Sequence, residues 1–268
     1  MDVLNEINAT NYHGSVPIGN TRPFIVNCGN EAYVAKIFDE EFENKHLINE
    51  YVCNCLAQFL HVPSPDASLI RMDQSIIDSV PELKERNIKS NLLYGSKLIE
   101  PAQPNITPPL LERIKNTDDI PSIILFDQII YNNDRATNDG NLLINFKEKK
   151  IYAIDHSHVF KDGLLWDVHS LDRINSERVY LIDNFHQKYY KMMLRYVKGN
   201  DPFSKIKARL SFLTEQDVTY IIDSVPLEWK LLPDDADALK RFILHRINNV
   251  NEIFRCIQNQ CPQWKGVI

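Results

Sequence analysis

The strongest constraint on the fold is a very apolar segment that is followed at once by a very polar one. Residues 120–131, IPSIILFDQIIY, predict a buried helix, in which Pro121 is tolerated in the first turn and Asp118 or Asp119 serves as N-cap. The next residues, NNDRATNDGN, are too polar to bury themselves and predict a loop. The segments LLINF and KIYAI then predict two short strands joined as a hairpin.

This order of elements brings acidic and amide side chains together. The loop would carry Asp134, Asn138 and Asn141, and the second strand would end at Asp155. Carboxylate and amide oxygens are hard ligands that suit Mg²⁺. Phosphoryl transfer needs a carboxylate that orients the attacking hydroxyl, and further oxygens that hold metal against the phosphates. The pattern therefore indicates a kinase catalytic segment, and the alternative is a polar turn without chemistry.

A second candidate group lies near the N-terminus, where residues 14–38 predict a small antiparallel meander. In its last strand, YVAKIF, Lys36 shares a face with two apolar residues. Such a lysine either lies at a solvated edge or binds a phosphate group. The helix predicted over 43–60 puts Glu50 at the border of its buried stripe, where it either points outward or reaches Lys36.

The amino-acid composition limits the classes of function that the protein can have. The 268 residues, 44% hydrophobic and 25% charged, predict one enzyme-sized globular unit of two lobes, or two small domains. A net charge of −6 argues against a broad surface for nucleic acid or anionic lipid. The chain shows neither a secretory signal nor an apolar run of membrane-spanning length, so we expect a cytoplasmic protein. Its five cysteines form no paired framework and predict reduced thiols.

The chain divides near residue 100, where four prolines fall within 101–109. We expect an N-terminal nucleotide-binding lobe over 1–100 and a mainly helical catalytic lobe over 101–268. In a two-lobed kinase, backbone groups of Leu98, Ile99 and Glu100 would bond a purine.

Beyond the hairpin, residues 161–170 predict an irregular segment, Thr214 predicts a helix N-cap, and 238–257 predict one closing helix.

Several runs, taken together and in order, resemble the HipA-like kinase family, which is similar in fold to the phosphatidylinositol 3/4-kinases. These runs are GNTRPFIV with YVAKIF, NEYVCNCLAQFLHVPSPDASLI, YGSKLI, FDQIIYNNDRATNDGNLLI and YAIDHSHVF. The resemblance covers about residues 14–255. It implies an α+β, bilobal protein-kinase-like fold: an N-terminal antiparallel sheet with one helix, and a mostly helical C-terminal lobe with a short catalytic hairpin.

The resemblance also implies a role for each matching residue. Lys36 would contact the ATP phosphates and be braced by Glu50, and Asp134 would be the catalytic base. The metal ligands would be Asn141 and Asp155, although the loop is longer than in protein kinases and Asn138 stays the alternative to Asn141. The nucleotide-binding residues that it implies are Gly19, Asn20, Thr21, Lys36, Leu98, Ile99, Glu100 and Asn138. Autophosphorylation in the phosphate loop, a property of this family, would fall on Ser15 or Thr21.

The function implied is an ATP- and Mg²⁺-dependent phosphotransferase, foremost a Ser/Thr protein kinase with a toxin or regulatory role. Its partners would be a protein substrate and an antitoxin or other regulatory protein, with no membrane and no direct nucleic-acid binding. The alternatives are a small-molecule or lipid kinase of the same fold, and a nucleotide-binding pseudokinase that acts as a binding module.

His156 and His158 share a strand face and imitate a metal pair, but packing or hydrogen bonding explains them as well.

Overall fold

The structure is a computed structural model that describes residues 3–17, 19, 21–41, 44–135, 141–177 and 185–267. Within these residues, six strands form one N-terminal sheet: β1 (Glu6–Asn8), β2 (Asn11–Ser15), β3 (Phe24–Cys28), β4 (Glu31–Lys36), β5 (Ala67–Arg71) and β6 (Leu92–Lys97). Their order is β1-β5-β6-β4-β3-β2, and every neighbouring pair except β1 and β5 is antiparallel. The strand β4 therefore lies inside the sheet rather than at its edge.

A second, smaller sheet lies beyond residue 100. It contains β7 (Ala102–Gln103), β8 (Leu142–Asn145) and β9 (Lys150–Ala153), all antiparallel, so the predicted hairpin is present with one added strand. The chain passes from the first sheet to the second through residues 98–101, which we call the crossover segment. Composition placed the lobe boundary at this point, and the division of the chain there stays a prediction.

Eleven α-helices lie in the described chain outside the two sheets. They are α1 (Lys45–Phe59), α2 (Gln74–Ser79), α3 (Pro81–Lys84), α4 (Pro108–Leu111), α5 (Ile120–Ile129), α6 (Val168–Ser176), α7 (Lys188–Met193), α8 (Ser204–Leu210), α9 (Glu215–Asp223), α10 (Pro233–Asn248) and α11 (Val250–Gln260). None of the helices in the described ranges is both long and apolar enough to cross a lipid bilayer. This mixture of a curled sheet and helices confirms the α+β prediction.

The helix α5 is buried along its whole length, as its apolar sequence requires. Pro121 occupies its first turn, where the missing N–H costs nothing. Asp119 is the N-cap residue, but its side chain makes no capping bond and instead accepts from Lys205 at 2.6 Å. The side chains of α5 belong to the main hydrophobic core, and α7, α10 and α11 contact this helix.

Two sequence predictions about helices were wrong at their boundaries. The segment predicted to be irregular contains the start of α6, because Asp167 and Ser170 form a reciprocal capping box. The closing helix predicted as continuous is divided at Asn249 into α10 and α11. The predicted N-cap at Thr214 is confirmed, and its side chain accepts from the backbone N–H of Asp217.

The hydrophobic core that contains α1 continues into the C-terminal helices. Nearly all of α1 is buried because β6 covers one of its faces and α9 covers another. Tyr51 of this helix packs edge-on against Trp229, with ring centroids 5.9 Å apart. A separate, smaller core lies on the opposite face of the six-stranded sheet. The position of α1 is therefore fixed from both halves of the chain.

Candidate active site

A cleft of about 370 Å³ opens between the six-stranded sheet and the catalytic hairpin. Val16 and Val34 line it on the side of the sheet, and Leu143 and Ile154 line it on the side of the hairpin. Two apolar walls that face each other can hold a flat ring, and sites for small molecules are commonly lined in this way. The crossover segment closes one end, and Lys36 lies at the inner wall.

Lys36 is buried in the interior strand β4, so the edge-lysine explanation is wrong. Its Nζ lies 2.5 Å from Oε1 of Glu50 and 2.9 Å from Oδ1 of Asp155. The side chain of Glu50 is only 4% exposed, whereas that of Asp155 is 27% exposed and faces the cleft. The structure therefore brings these three residues, which are far apart in sequence, into one cluster.

The electrostatics of this cluster follow from one cation held between two carboxylates. Burial opposes the charge on Lys36, but Asp155 and Glu50 outweigh that penalty and raise its pKa. For Asp155, burial is likewise outweighed, by Lys36 and by hydrogen bonds from Ser157, so its pKa lies far below the usual range. Burial dominates at Glu50 and raises its pKa. The exposed end of the cluster is thus an ionised carboxylate that faces the cleft.

The predicted loop residues Asp134 and Asn141 lie next to each other. Nδ2 of Asn141 donates to Oδ2 of Asp134 at 3.0 Å, and Asn141 itself lines the cleft. The side chain of Asn132 fixes the backbone of this turn by accepting from the N–H of Asp134 at 3.0 Å. Asp155 and Asn141 both line the cleft, and their carboxylate and amide oxygens are ligands of the kind that fits a hard divalent cation such as Mg²⁺. Asn138 lies outside the described residues.

Sequence reasoning missed Arg135, which is fully buried directly after Asp134. Its Nε lies 2.8 and 2.7 Å from the two carboxylate oxygens of Asp127 in α5. Its Nη1 donates to the backbone carbonyls of Asn141 and Ile154. Arg135 therefore ties together the helix, the loop and the residue before Asp155. The sequence feature that could have pointed to Arg135 was Asp127, because a buried carboxylate in an apolar helix requires a partner.

The remaining nitrogen of Arg135 reaches the residue after Asp155. Nη2 of Arg135 lies 2.9 Å from Nε2 of His156, whose ring also packs edge-on against Phe126. Burial and the neighbouring Arg135 lower the pKa of His156 well below its usual value, so a neutral imidazole accepts this hydrogen bond. Since Nε2 faces a cation, the hydrogen-bonding explanation of His156 fits and a metal pair with His158 does not.

The predicted phosphate loop lies at the edge of the cleft. Gly19 lines the cleft and adopts φ of 124°, a backbone conformation that favours glycine. Thr21 is buried and is not among the residues that line the cleft, and Asn20 lies outside the described residues. The hydroxyl of Ser15 donates to Glu82 at 2.7 Å, and both residues line a second pocket and not the cleft.

In the crossover segment, Leu98 and Ile99 line the cleft, whereas Glu100 is exposed and does not. The N–H of Leu98 donates to the carbonyl of Ala32 at 2.8 Å. This donor is therefore already used within the sheet, and a purine at this end of the cleft would have to bond other backbone groups.

The chain was compared with known proteins. The sequence profile described as HipA-like kinase matches residues 13–260. A Helicobacter pylori proinflammatory kinase, CtkA, is similar in structure with a TM-score of 0.55 and 13% identity, over 96% of this chain and 98% of that one. The golgi casein kinase is similar with a TM-score of 0.50 and 12% identity, over 94% of this chain and 75% of that one. None of the curated protein sequences matches the chain. At these identities the structural likeness shows the fold alone.

Proposed function

The chain belongs to the HipA-like kinase family, a family of phosphotransferases, and on this premise we propose that it is an ATP- and Mg²⁺-dependent Ser/Thr protein kinase. The observation that carries the proposal is the cluster of Lys36, Glu50 and Asp155 at the wall of the cleft, with the bonded pair Asp134 and Asn141 beside it. A lysine braced by a buried glutamate, an acidic metal ligand and a base are the parts that phosphoryl transfer requires.

The nucleotide would enter with its base between the two apolar walls of the cleft. Because the N–H of Leu98 is used by Ala32, we propose that the base is bonded by the backbone of Ile99 and by a neighbouring carbonyl. The triphosphate would then extend toward Lys36, and Gly19 would lie over it without a side chain in the way. Glu50 would keep the ammonium of Lys36 directed at the phosphates.

Asp134 would orient the hydroxyl of the substrate and accept its proton. Asn141 donates to Oδ2 of Asp134, and this hydrogen bond fixes the direction in which Oδ1 points. Asp155 and Asn141 would hold Mg²⁺, which when bound neutralises the charge on the phosphate oxygens. The ionised state of Asp155, secured by Lys36, suits it to this role.

We propose a protein hydroxyl as acceptor, in line with the protein-kinase-like fold, and a regulatory protein as partner. A small-molecule kinase is the second candidate, because one fold hosts several acceptors. Autophosphorylation of Ser15 or Thr21 stays a prediction. Both hydroxyls would first have to move, since Ser15 is bonded to Glu82 and Thr21 is buried.

The test is label transfer from γ-labelled ATP, with and without Mg²⁺, to the protein itself and to a protein extract. We expect Mg²⁺-dependent labelling of a protein. In the variant Asp134→Asn, turnover should fall about 10²- to 10⁴-fold, because a general base is lost, while ATP affinity is retained. Phosphorylation of small molecules alone would select the second candidate. Wild-type turnover in Asp134→Asn would refute the catalytic role of this residue.

A further inference from the structure

The helix that carries Glu50 is fastened to the segment after Asp155 by one buried amide. Asn49 is fully buried, and its Nδ2 donates to the backbone carbonyls of Ser157 at 2.6 Å and Gly163 at 3.0 Å. Its Oδ1 accepts from the indole Nε1 of Trp166 at 2.9 Å. All three partners are more than 100 positions away in sequence. The amide therefore joins α1 to a distant part of the chain.

The residue after Asn49 is Glu50, which accepts from Lys36 at 2.5 Å. The backbone N–H of His156 also acts to lower the pKa of Glu50, against the burial that raises it. Asn49 and Glu50 are consecutive in α1, and the residues of the distant segment that act on them, Ser157 and His156, are consecutive as well. The metal-ligand segment and the lysine-bracing helix are thus held in register by hydrogen bonds from the protein alone.

We propose that Asn49 is a positioning residue, which holds α1 so that Glu50 reaches Lys36 before any nucleotide binds. The proposal deepens the kinase function above and rests on it for its catalytic consequences. It implies that the braced lysine is assembled in the free protein, without a bound partner or a modification. An amide suits this position because one side chain supplies two donors and one acceptor to three fixed groups.

The chemistry of burial explains why the contact is hard to replace. An apolar side chain at position 49 would leave two carbonyls and an indole N–H without partners in a dry environment, where each unmade hydrogen bond is costly. Movement of α1 away from the segment would give these groups access to water. Loss of the amide therefore favours an arrangement in which Glu50 no longer reaches Lys36.

The first measurement is amide hydrogen exchange without nucleotide. In the wild-type protein, the amide of His156 should be protected before Mg·ATP is added. In Asn49→Leu its exchange should be faster by at least about tenfold, since buried hydrogen bonds of this strength are lost. Asn49→Ser, which keeps one donor, should be intermediate and guards against failure of the leucine variant to fold. Protection of His156 that arises only with Mg·ATP would overturn the proposal.

The matched control is Tyr51→Phe in the same helix. It removes the hydrogen bond from Tyr51 to Ser224, which anchors α1 to the C-terminal helices but not to the metal-ligand segment. We expect Tyr51→Phe to lower stability without changing exchange at His156. Trp166→Phe separates the indole contact from the two carbonyl contacts, and should have a smaller effect than Asn49→Leu. Equal acceleration at His156 in Tyr51→Phe and Asn49→Leu would reduce Asn49 to a general packing role and contradict the proposal.

The catalytic readout uses the same variants. In Asn49→Leu the KM for ATP should rise at least about tenfold relative to Tyr51→Phe, because Lys36 loses its brace. An unchanged KM in a variant with fast exchange at His156 would overturn the positioning role. If the wild-type protein neither binds nor uses ATP, the proposed function fails, but the exchange measurement still decides whether Asn49 holds α1.

Discussion

Two of the buried ion clusters in the described part of the chain meet at Asp155 and His156, and they differ in exposure and in charge balance. In the pair of Arg135 and Asp127, both side chains are fully buried, and the arginine makes further bonds to backbone and to His156. In the cluster of Lys36, Glu50 and Asp155, one cation faces two carboxylates, and Asp155 is partly exposed at the cleft. The first cluster is closed and balanced, and the second is open and carries an excess negative charge.

Under the proposed function, this difference separates a structural role from a functional one. A balanced buried pair whose hydrogen bonds are satisfied can rigidify its surroundings but offers nothing to a ligand. An unbalanced cluster at a cavity wall is completed by a cation from outside, and perturbed carboxylates in a cleft are typical of functional sites. Since Arg135 also bonds the residues on either side of Asp155, the closed cluster holds the open one in place.

The largest effect on stability is expected where the closed pair is broken. Arg135→Met leaves Asp127 buried without its cation, and we expect the free energy of unfolding to fall by about 3–5 kcal/mol. Denaturant unfolding followed by circular dichroism measures this loss. The matched control is Lys36→Met, the same change in the open cluster. A smaller loss in Arg135→Met than in Lys36→Met would contradict the division of roles.

Lys36→Met should lower ligand affinity more than stability. Methionine keeps the apolar stem, Glu50 already has a raised pKa and can take up a proton, and Asp155 is partly exposed to water. We expect ATP affinity to fall about tenfold to a hundredfold, because a hydrogen bond to a charged group is lost. Calorimetric titration with Mg·ATP measures the change. Wild-type affinity in this variant would remove Lys36 from the nucleotide site.

The smallest effect is expected at an ion pair that is neither buried nor near the cleft. Arg241 bonds Asp172 at 2.8 Å, but about half of each side chain is exposed. Arg241→Ala should change the free energy of unfolding by less than about 1 kcal/mol and leave ATP affinity unchanged. A larger loss would mean that the exposure of an ion pair does not predict how much that pair contributes to the free energy of unfolding.

The sequence predicted the parts that depend on local pattern. The apolar run of α5, the hairpin and the strand of Lys36 were recognisable because periodicity and turn residues act over short distances. The sequence pattern left open whether Glu50 reaches Lys36, and the family resemblance implied that it does. The structure shows this pair, and it adds the contact of Lys36 with Asp155, which was not predicted.

The missed features depend on contacts between distant residues. The parallel pairing of β1 with β5 joins segments about sixty residues apart and has no local signature. Nothing in the loop sequence reveals that Arg135 turns inward, and the division at Asn249 does not interrupt the amphipathic pattern of the closing helices. Partners of buried polar groups become known only once the fold is known.

The most direct test of the central claim is the same substitution at Asp155 of the open cluster and at Asp127 of the closed one. Calorimetric titration with ATP, with Mg²⁺ and with a chelator, should be performed on Asp155→Asn and Asp127→Asn beside the wild-type protein. We predict that Asp155→Asn stays folded but loses the Mg²⁺-dependent part of ATP affinity, whereas Asp127→Asn loses stability and keeps that affinity in its folded fraction. Undiminished Mg²⁺-dependent ATP binding by Asp155→Asn would contradict the assignment of the open cluster as the nucleotide and metal site.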